Sequence, residues 1–187
     1  MSKIKSDCLP HQNTWSTLVE DFSARYGYEP KSWISVVLAS LRMGEFAAVL
    51  LYRTYQYFYY RRRIFPGLRI FLYSLLRSKF NIDIHPDAII EGGLVIHHAH
   101  LIIIGSGVRI GKRLNIYHNV TIGARSINKL TSYPKIGDDV VIYPGSVLAG
   151  GINVGDNVII GANSLVLDDI PNNSTLYANK SILISKN

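Results

Sequence analysis

Only one cysteine, Cys8, occurs among 187 residues, so no disulfide can form within the chain. A reducing cytosol is the expected compartment. Acidic residues are also scarce: 13 Asp and Glu stand against 20 Lys and Arg, a net charge of +7. No apolar run reaches the length needed to cross a bilayer. The opening MSKIKSDCLPHQNTW lacks the apolar stretch of a secretion signal. Charged residues make up 18% of the chain and hydrophobic residues 48%, a globular balance that excludes a disordered polyelectrolyte.

The positive charge is not spread evenly. Residues 31–80 hold nine Lys or Arg against a single acid, Glu45, so this stretch is +8 and the remainder is close to −1. The same boundary separates two kinds of patterning. A helix is expected from Thr14 to Pro30, a longer one over 32–63 with Gly44 as an interruption, and a short amphipathic one after the Pro66-Gly67 break. The basic aromatic segment YRTYQYFYYRRR reads first as a helix with its aromatic side packed inward. Attraction to anionic lipid headgroups is the second reading. Nucleic acid is not expected, because no recognition fold accompanies the charge.

From residue 84 aliphatic residues recur every six: Ile84, Ile90, Ile96, then Ile104, Ile110, Ile116, Ile122, then Ile136, Ile142, Leu148, Val154, Ile160, Val166. Glycine follows the aliphatic at six of these thirteen positions. Short strands separated by small turn residues at a fixed period describe a β-solenoid, three sides to a coil, with the repeated aliphatic pointing to the axis. The phase slips twice. Ile96 to Ile104 is eight residues, so one rung carries two extra, and Ile122 to Ile136 is fourteen, which places a loop at 124–135. Irregularities on a regular scaffold are where functional side chains tend to be presented.

The swollen rung reads LVIHHAHLIIIG. His98 and His118 are twenty residues apart, which is one coil plus the two extra, so both are expected on one face in neighbouring coils about 4.8 Å apart. His100 falls in an inward register and is expected to stabilise the bulge. A metal is not expected: neighbouring strand residues face opposite ways, and no second spaced histidine pair or cysteine supports a ligand set.

Residues 82–105, IDIHPDAIIEGGLVIHHAHLIIIG, resemble the serine O-acetyltransferases among the hexapeptide-repeat acyltransferases, as do VTIG at 120–123, PKIGDDV at 134–140 and IGANSLVLDDIP at 160–171. The resemblance implies a mainly β fold, a left-handed parallel β-helix (82–171) behind an N-terminal helical domain (1–81), with a tail at 172–187. It implies acetyl-CoA as co-substrate, a homotrimer, His98 as general base and Asp83 as its partner. Cofactor-binding positions implied are Gly123, Ala124, Pro144 and Ala162, with Arg125, Lys129 and Lys180 as phosphate partners. His97, His118 and Tyr133 are the implied acceptor contacts.

Two positions depart from the serine enzymes: His97 stands where an aspartate precedes the catalytic histidine, and Ser132-Tyr133 where an Arg-His pair precedes PKI. Loss of a carboxylate and an arginine removes charge-assisted contacts to a zwitterion. With the IHH rung and YHNVTIG, the chain looks more like exopolysaccharide acetyltransferases of the colanic acid type. The expected function is therefore acetyl transfer to a saccharide hydroxyl in capsular or exopolysaccharide biosynthesis, in the cytoplasm or at the inner face of the membrane. The alternatives are serine acetylation and a non-catalytic scaffold.

Overall fold

A computed structural model describes residues 14–42, 44–60, 66–126 and 132–178. Among the described residues four helices come first: α1 (Thr14–Tyr26), α2 (Trp33–Arg42), α3 (Gly44–Tyr60) and α4 (Pro66–Phe80). The first helix stops before Pro30. Gly27 takes a left-handed φ of 77° and its N–H bonds back to the Ser23 carbonyl, so a glycine C-cap ends the helix.

Fourteen short strands follow, and they stack into three parallel sheets. Sheet A holds β1 (Asp83–Ile84), β4 (Ile103–Ile104), β7 (Thr121–Gly123), β10 (Val147–Ala149) and β13 (Leu165–Val166). Sheet B holds β2 (Ile89–Ile90), β5 (Arg109–Ile110), β8 (Lys135–Ile136) and β11 (Asn153–Val154). Sheet C holds β3 (Val95–Ile96), β6 (Asn115–Ile116), β9 (Val141–Ile142), β12 (Ile159–Ile160) and β14 (Thr175–Leu176). The solenoid therefore continues past residue 171 to Leu176. Ile96 pairs with Ile116 and Ile104 with Ile122, so the slips leave the inward register intact.

All thirteen registered aliphatics are buried. A second inward column, two residues earlier, was not anticipated: Ile82, Ala88, Leu94, Ile102, Val108, Leu114, Val120, Val140, Ser146, Ile152, Val158 and Ser164 are also buried. Each large aliphatic so buried contributes about 1.5–3 kcal/mol, and two per rung make the prism axis continuous with the core.

Turns are built from the same arithmetic. At the corner between sheets B and C, Gly111 and Gly137 leave room for the Asp138 and Asp156 side chains of the next coil. Those carboxylates accept from the backbone N–H of Lys112 and Asp138, at 2.8 Å each. A Cβ on either glycine would stand 2.2 Å from the carboxylate oxygen, so the IGDD pattern is a steric requirement.

A parallel solenoid has an open first coil whose downward carbonyls lack donors, and exposed strand edges invite pairing. Helix α3 closes it. Gln56 donates to the carbonyls of Pro86 and Ala88, Tyr60 to Pro86, and Arg53 to Ile90 and Glu91. Arg53 also forms a bidentate pair with Asp21 of α1 at 2.8 and 3.1 Å, and Asp21 accepts from the N–H of Leu94 at 2.7 Å. Both side chains are fully inside, at 2% and 0% exposure. One ion pair thus ties α1, α3 and the first coil together; of the basic aromatic segment Tyr52 and Tyr55 are buried, Tyr60 is exposed, and Arg61, Arg62 and Arg63 lie outside the described residues.

Removing one partner of a buried pair leaves an uncompensated charge, at a cost of about 3–5 kcal/mol. Arg53→Met and Asp21→Asn should each lower unfolding free energy by that amount in chemical denaturation; a loss under about 1 kcal/mol would show that the pair is not the joint between the two halves.

Candidate active site

The extra pair of residues lies at the corner between sheets C and A. Along this corner a left-handed residue recurs in each coil: Asn81, Leu101, Asn119, Gly145 and Asn163. The N–H groups of Leu101, Asn119, Gly145 and Asn163 bond to Phe80, His100, His118 and Pro144 carbonyls below, which fixes the column. In a regular coil two residues separate the strand from this position, as Tyr117 and His118 do. In the swollen rung four do, His97 to His100. His98 adopts a second left-handed φ of 52°, and the chain swings outward there.

His98 is consequently exposed, and its ring meets His118 edge-on at 5.8 Å with an interplanar angle of 77°. The two imidazoles are neighbours, as the count predicts, but they are not stacked. His118 is half-buried and its Nδ1 is enclosed with no hydrogen-bond partner among the described residues. An unpartnered buried nitrogen is rare in a folded protein and marks this corner as one where the chain departs from ordinary packing. His100 is exposed, contrary to the inward register expected of it; its carbonyl, not its ring, serves the corner. The two extra residues fall before it, which shifts it off the axis.

The stacked aromatic pair is a different one. His97 lies on Tyr117 at 4.5 Å and 15°, and Tyr117 on Tyr143 at 5.0 Å and 21°. His97 also bonds through Nε2 to Asn115 at 3.1 Å. This ladder could have been read: the residue after each registered aliphatic, glycine at six positions, is His97, Tyr117 and Tyr143 along this edge.

Asp83 is half-buried in β1, paired in register with Ile103. Its Oδ1 accepts from the Tyr73 hydroxyl at 2.7 Å, and Arg77 Nε stands 4.0 Å from Oδ2. Burial, then the Asp83 carboxylate, pushes the Tyr73 phenol up, so the phenol stays a donor. Among the described residues no hydrogen bond joins Asp83 to His98. Sequence spacing gave no signal for Tyr73.

The remaining predicted residues divide between two prism edges. Pro144 and Ala162 follow β9 and β12 on the same edge as His98 and His118. Gly123, Ala124 and Tyr133 lie on the edge between sheets A and B, across the width of sheet A. A Cβ at Gly123 would meet nothing within 4 Å, so this edge leaves its backbone approachable by a long ligand such as CoA. Tyr133 packs instead into the hollows of Gly105 and Gly107, and Ser106 donates to its hydroxyl at 3.2 Å. Arg125 is exposed against Gly150; Lys129 and Lys180 lie outside the described residues. Among the described residues no group of three His, Cys, Asp or Glu could hold a metal ion.

The profile of the bacterial transferase hexapeptide family (six repeats) matches residues 133–168. The serine acetyltransferase of Helicobacter pylori strain 26695 is 40% identical over 139 residues, covering 74% of this chain and 80% of that protein. The Neisseria gonorrhoeae serine acetyltransferase solved in complex with serine superposes with a TM-score of 0.73 at 30% identity, covering 89% of this chain and 67% of that one. A serine acetyltransferase complex with CoA gives 0.70 at 29% identity, over 87% and 66%. This chain thus spans about two thirds of the length of these solved structures.

These relatives overturn the expected saccharide acceptor and the closer likeness to exopolysaccharide enzymes. The physical reason is visible in the two departures. His97 is taken up by Asn115 and Tyr117, Tyr133 by Gly107, and Ser132, which stands where the arginine would, lies in the hollow of Gly151, so each of the three side chains has its neighbours within this chain.

Leu101 is a branched residue held at φ 53°. Leu101→Asn should raise unfolding free energy by about 1 kcal/mol, since asparagine tolerates that region; an unchanged denaturation midpoint would mean that the corner is not strained. The prism with its left-handed coil, its one swollen rung and its relatives agree, and the chain belongs to the serine acetyltransferase family, acetyl-CoA-dependent acyltransferases built on hexapeptide repeats.

Proposed function

We propose that this chain is a serine O-acetyltransferase in which His98 is the general base. Its relatives named for that activity supply the acceptor class, and one observation carries the chemistry: an exposed imidazole on the only rung with two extra residues, edge-on to a second imidazole. Imidazole is the side chain that ordinarily exchanges a proton near neutral pH.

His98 takes the proton of the serine hydroxyl as its oxygen attacks the thioester carbonyl. The C–S bond then breaks, and the CoA thiolate recovers the proton from the imidazolium. Asp83 is the partner that the resemblance gives to the ring: Tyr73 bonds one carboxylate oxygen, and the imidazole would share the other with Arg77, which stands 4.0 Å from it. His118, edge-on to His98 at 5.8 Å, is the second imidazole of this reading.

The functional unit of this reading is a homotrimer. Pro144 and Ala162 share the His98 edge, whereas Gly123 and Ala124, on the edge between sheets A and B, come to His98 if neighbouring prisms pair the two edges. The outward row of sheet A supports such packing, since Ile103 and Leu165 are large, apolar and exposed in one chain. The C-terminal positions Pro144 and Ala162 continue the groove beside His98.

His98→Ala should lower serine-dependent CoA release about 10²- to 10⁴-fold while acetyl-CoA still binds; near-normal turnover removes His98 from the mechanism. No CoA release from the native protein with serine removes the acceptor assignment. Leu165→Glu should convert trimer to monomer in analytical ultracentrifugation and abolish turnover at once; an active monomer would show that one prism contains the whole site.

A further inference from the structure

Helix α2 turns its apolar side outward. Only Val36 and Ser40 are buried, whereas Trp33, Ile34, Val37, Leu38 and Leu41 are exposed, Trp33 at 65% and Leu41 at 77%. At 100° per residue these five lie within an arc of about 140°, one continuous face. Five large apolar side chains together on a ten-residue helix mark a surface that another body covers.

Charge decides which body. Lys31 and Arg42, both exposed, stand at the two ends of the face. Across residues 31–80 nine cations outnumber the one acid by eight, and subtracting Arg53 and Arg77, which face Asp21 and Asp83, leaves +6. Glu45 is itself turned to Arg25 at 3.7 Å. A second copy placed on this face would bring two such segments together against their repulsion, whereas an anionic bilayer would be attracted. Tryptophan, leucine and isoleucine with flanking cations are the composition of a helix lying in the lipid interface. No helix among the described residues is long and apolar enough to cross a membrane, so contact here is peripheral.

We propose that the α2 face is a docking surface for an anionic membrane, with Trp33, Ile34, Val37, Leu38 and Leu41 at the acyl boundary and Lys31 and Arg42 at the phosphates. The geometry that carries it is separate from the active-site edge and does not depend on which hydroxyl is acetylated.

The full chain is mixed with vesicles of phosphatidylcholine, with or without a third phosphatidylglycerol, and sedimented. The protein should partition at least tenfold more strongly to the anionic vesicles, and the difference should shrink as salt rises. Trp15→Phe leaves Trp33 as the only tryptophan, and its emission should shift to the blue on binding. The double variant Leu38→Glu, Leu41→Glu should lose at least tenfold in partition with unchanged circular dichroism and thermal transition. Equal or absent binding to both vesicles overturns the proposal. So does a double variant that binds as before, or one that changes only the oligomeric mass, which would assign the face to a second copy.

Discussion

Six residues per side is the constraint from which the rest of this molecule follows. In a parallel coil every rung hydrogen-bonds to those above and below, so one misplaced residue would turn an inward isoleucine to solvent in every later rung. The chain keeps thirteen aliphatics and a second buried column in register across its three sheets. Extra residues are admitted only at corners, where they can leave the prism without disturbing the ladder. The insertion before Leu101 does this, and the imidazole it carries is displayed because the strands on either side cannot move.

The helical half depends on the same ladder. The first coil has carbonyls with nothing beneath them, and α3 meets them with Tyr60, Gln56 and Arg53. Arg53 would be intolerable at such depth without Asp21, and Asp21 would be equally so without Arg53 and the Leu94 N–H. The basic stretch is therefore not uniform in role. One arginine is a buried joint, Arg77 stands near the Asp83 carboxylate, and the cations around α2 remain at the surface.

A charge absent from an implied acceptor position does not by itself change the acceptor. His97 and Tyr133 differ from the serine enzymes at the very positions implied to hold the amino acid. A side chain reports on a ligand only if it faces one. His97 is stacked on Tyr117 and bonded to Asn115, while Tyr133 fills the space beside Gly107 on another edge. The side chains at His97 and Tyr133 thus answer to packing within this chain, while the arginine is replaced by Ser132 in the hollow of Gly151.

The hexad spacing of Ile84 through Val166 was enough, by itself, to determine the prism, its inward column and the location of both slips, because a period of six with a buried side chain has one economical backbone solution. It also determined that His98 and His118 are neighbours. What only the tertiary structure decided is where the slack goes and who meets whom across the chain. The left-handed turn at His98, the outward His100, the edge-on imidazoles and the Tyr73 bond to Asp83 depend on contacts between residues with no fixed spacing. The same is true of the Arg53–Asp21 joint, 32 residues apart in sequence, whose partners share no period and are brought together only by the packing of α1 and α3 on the first coil.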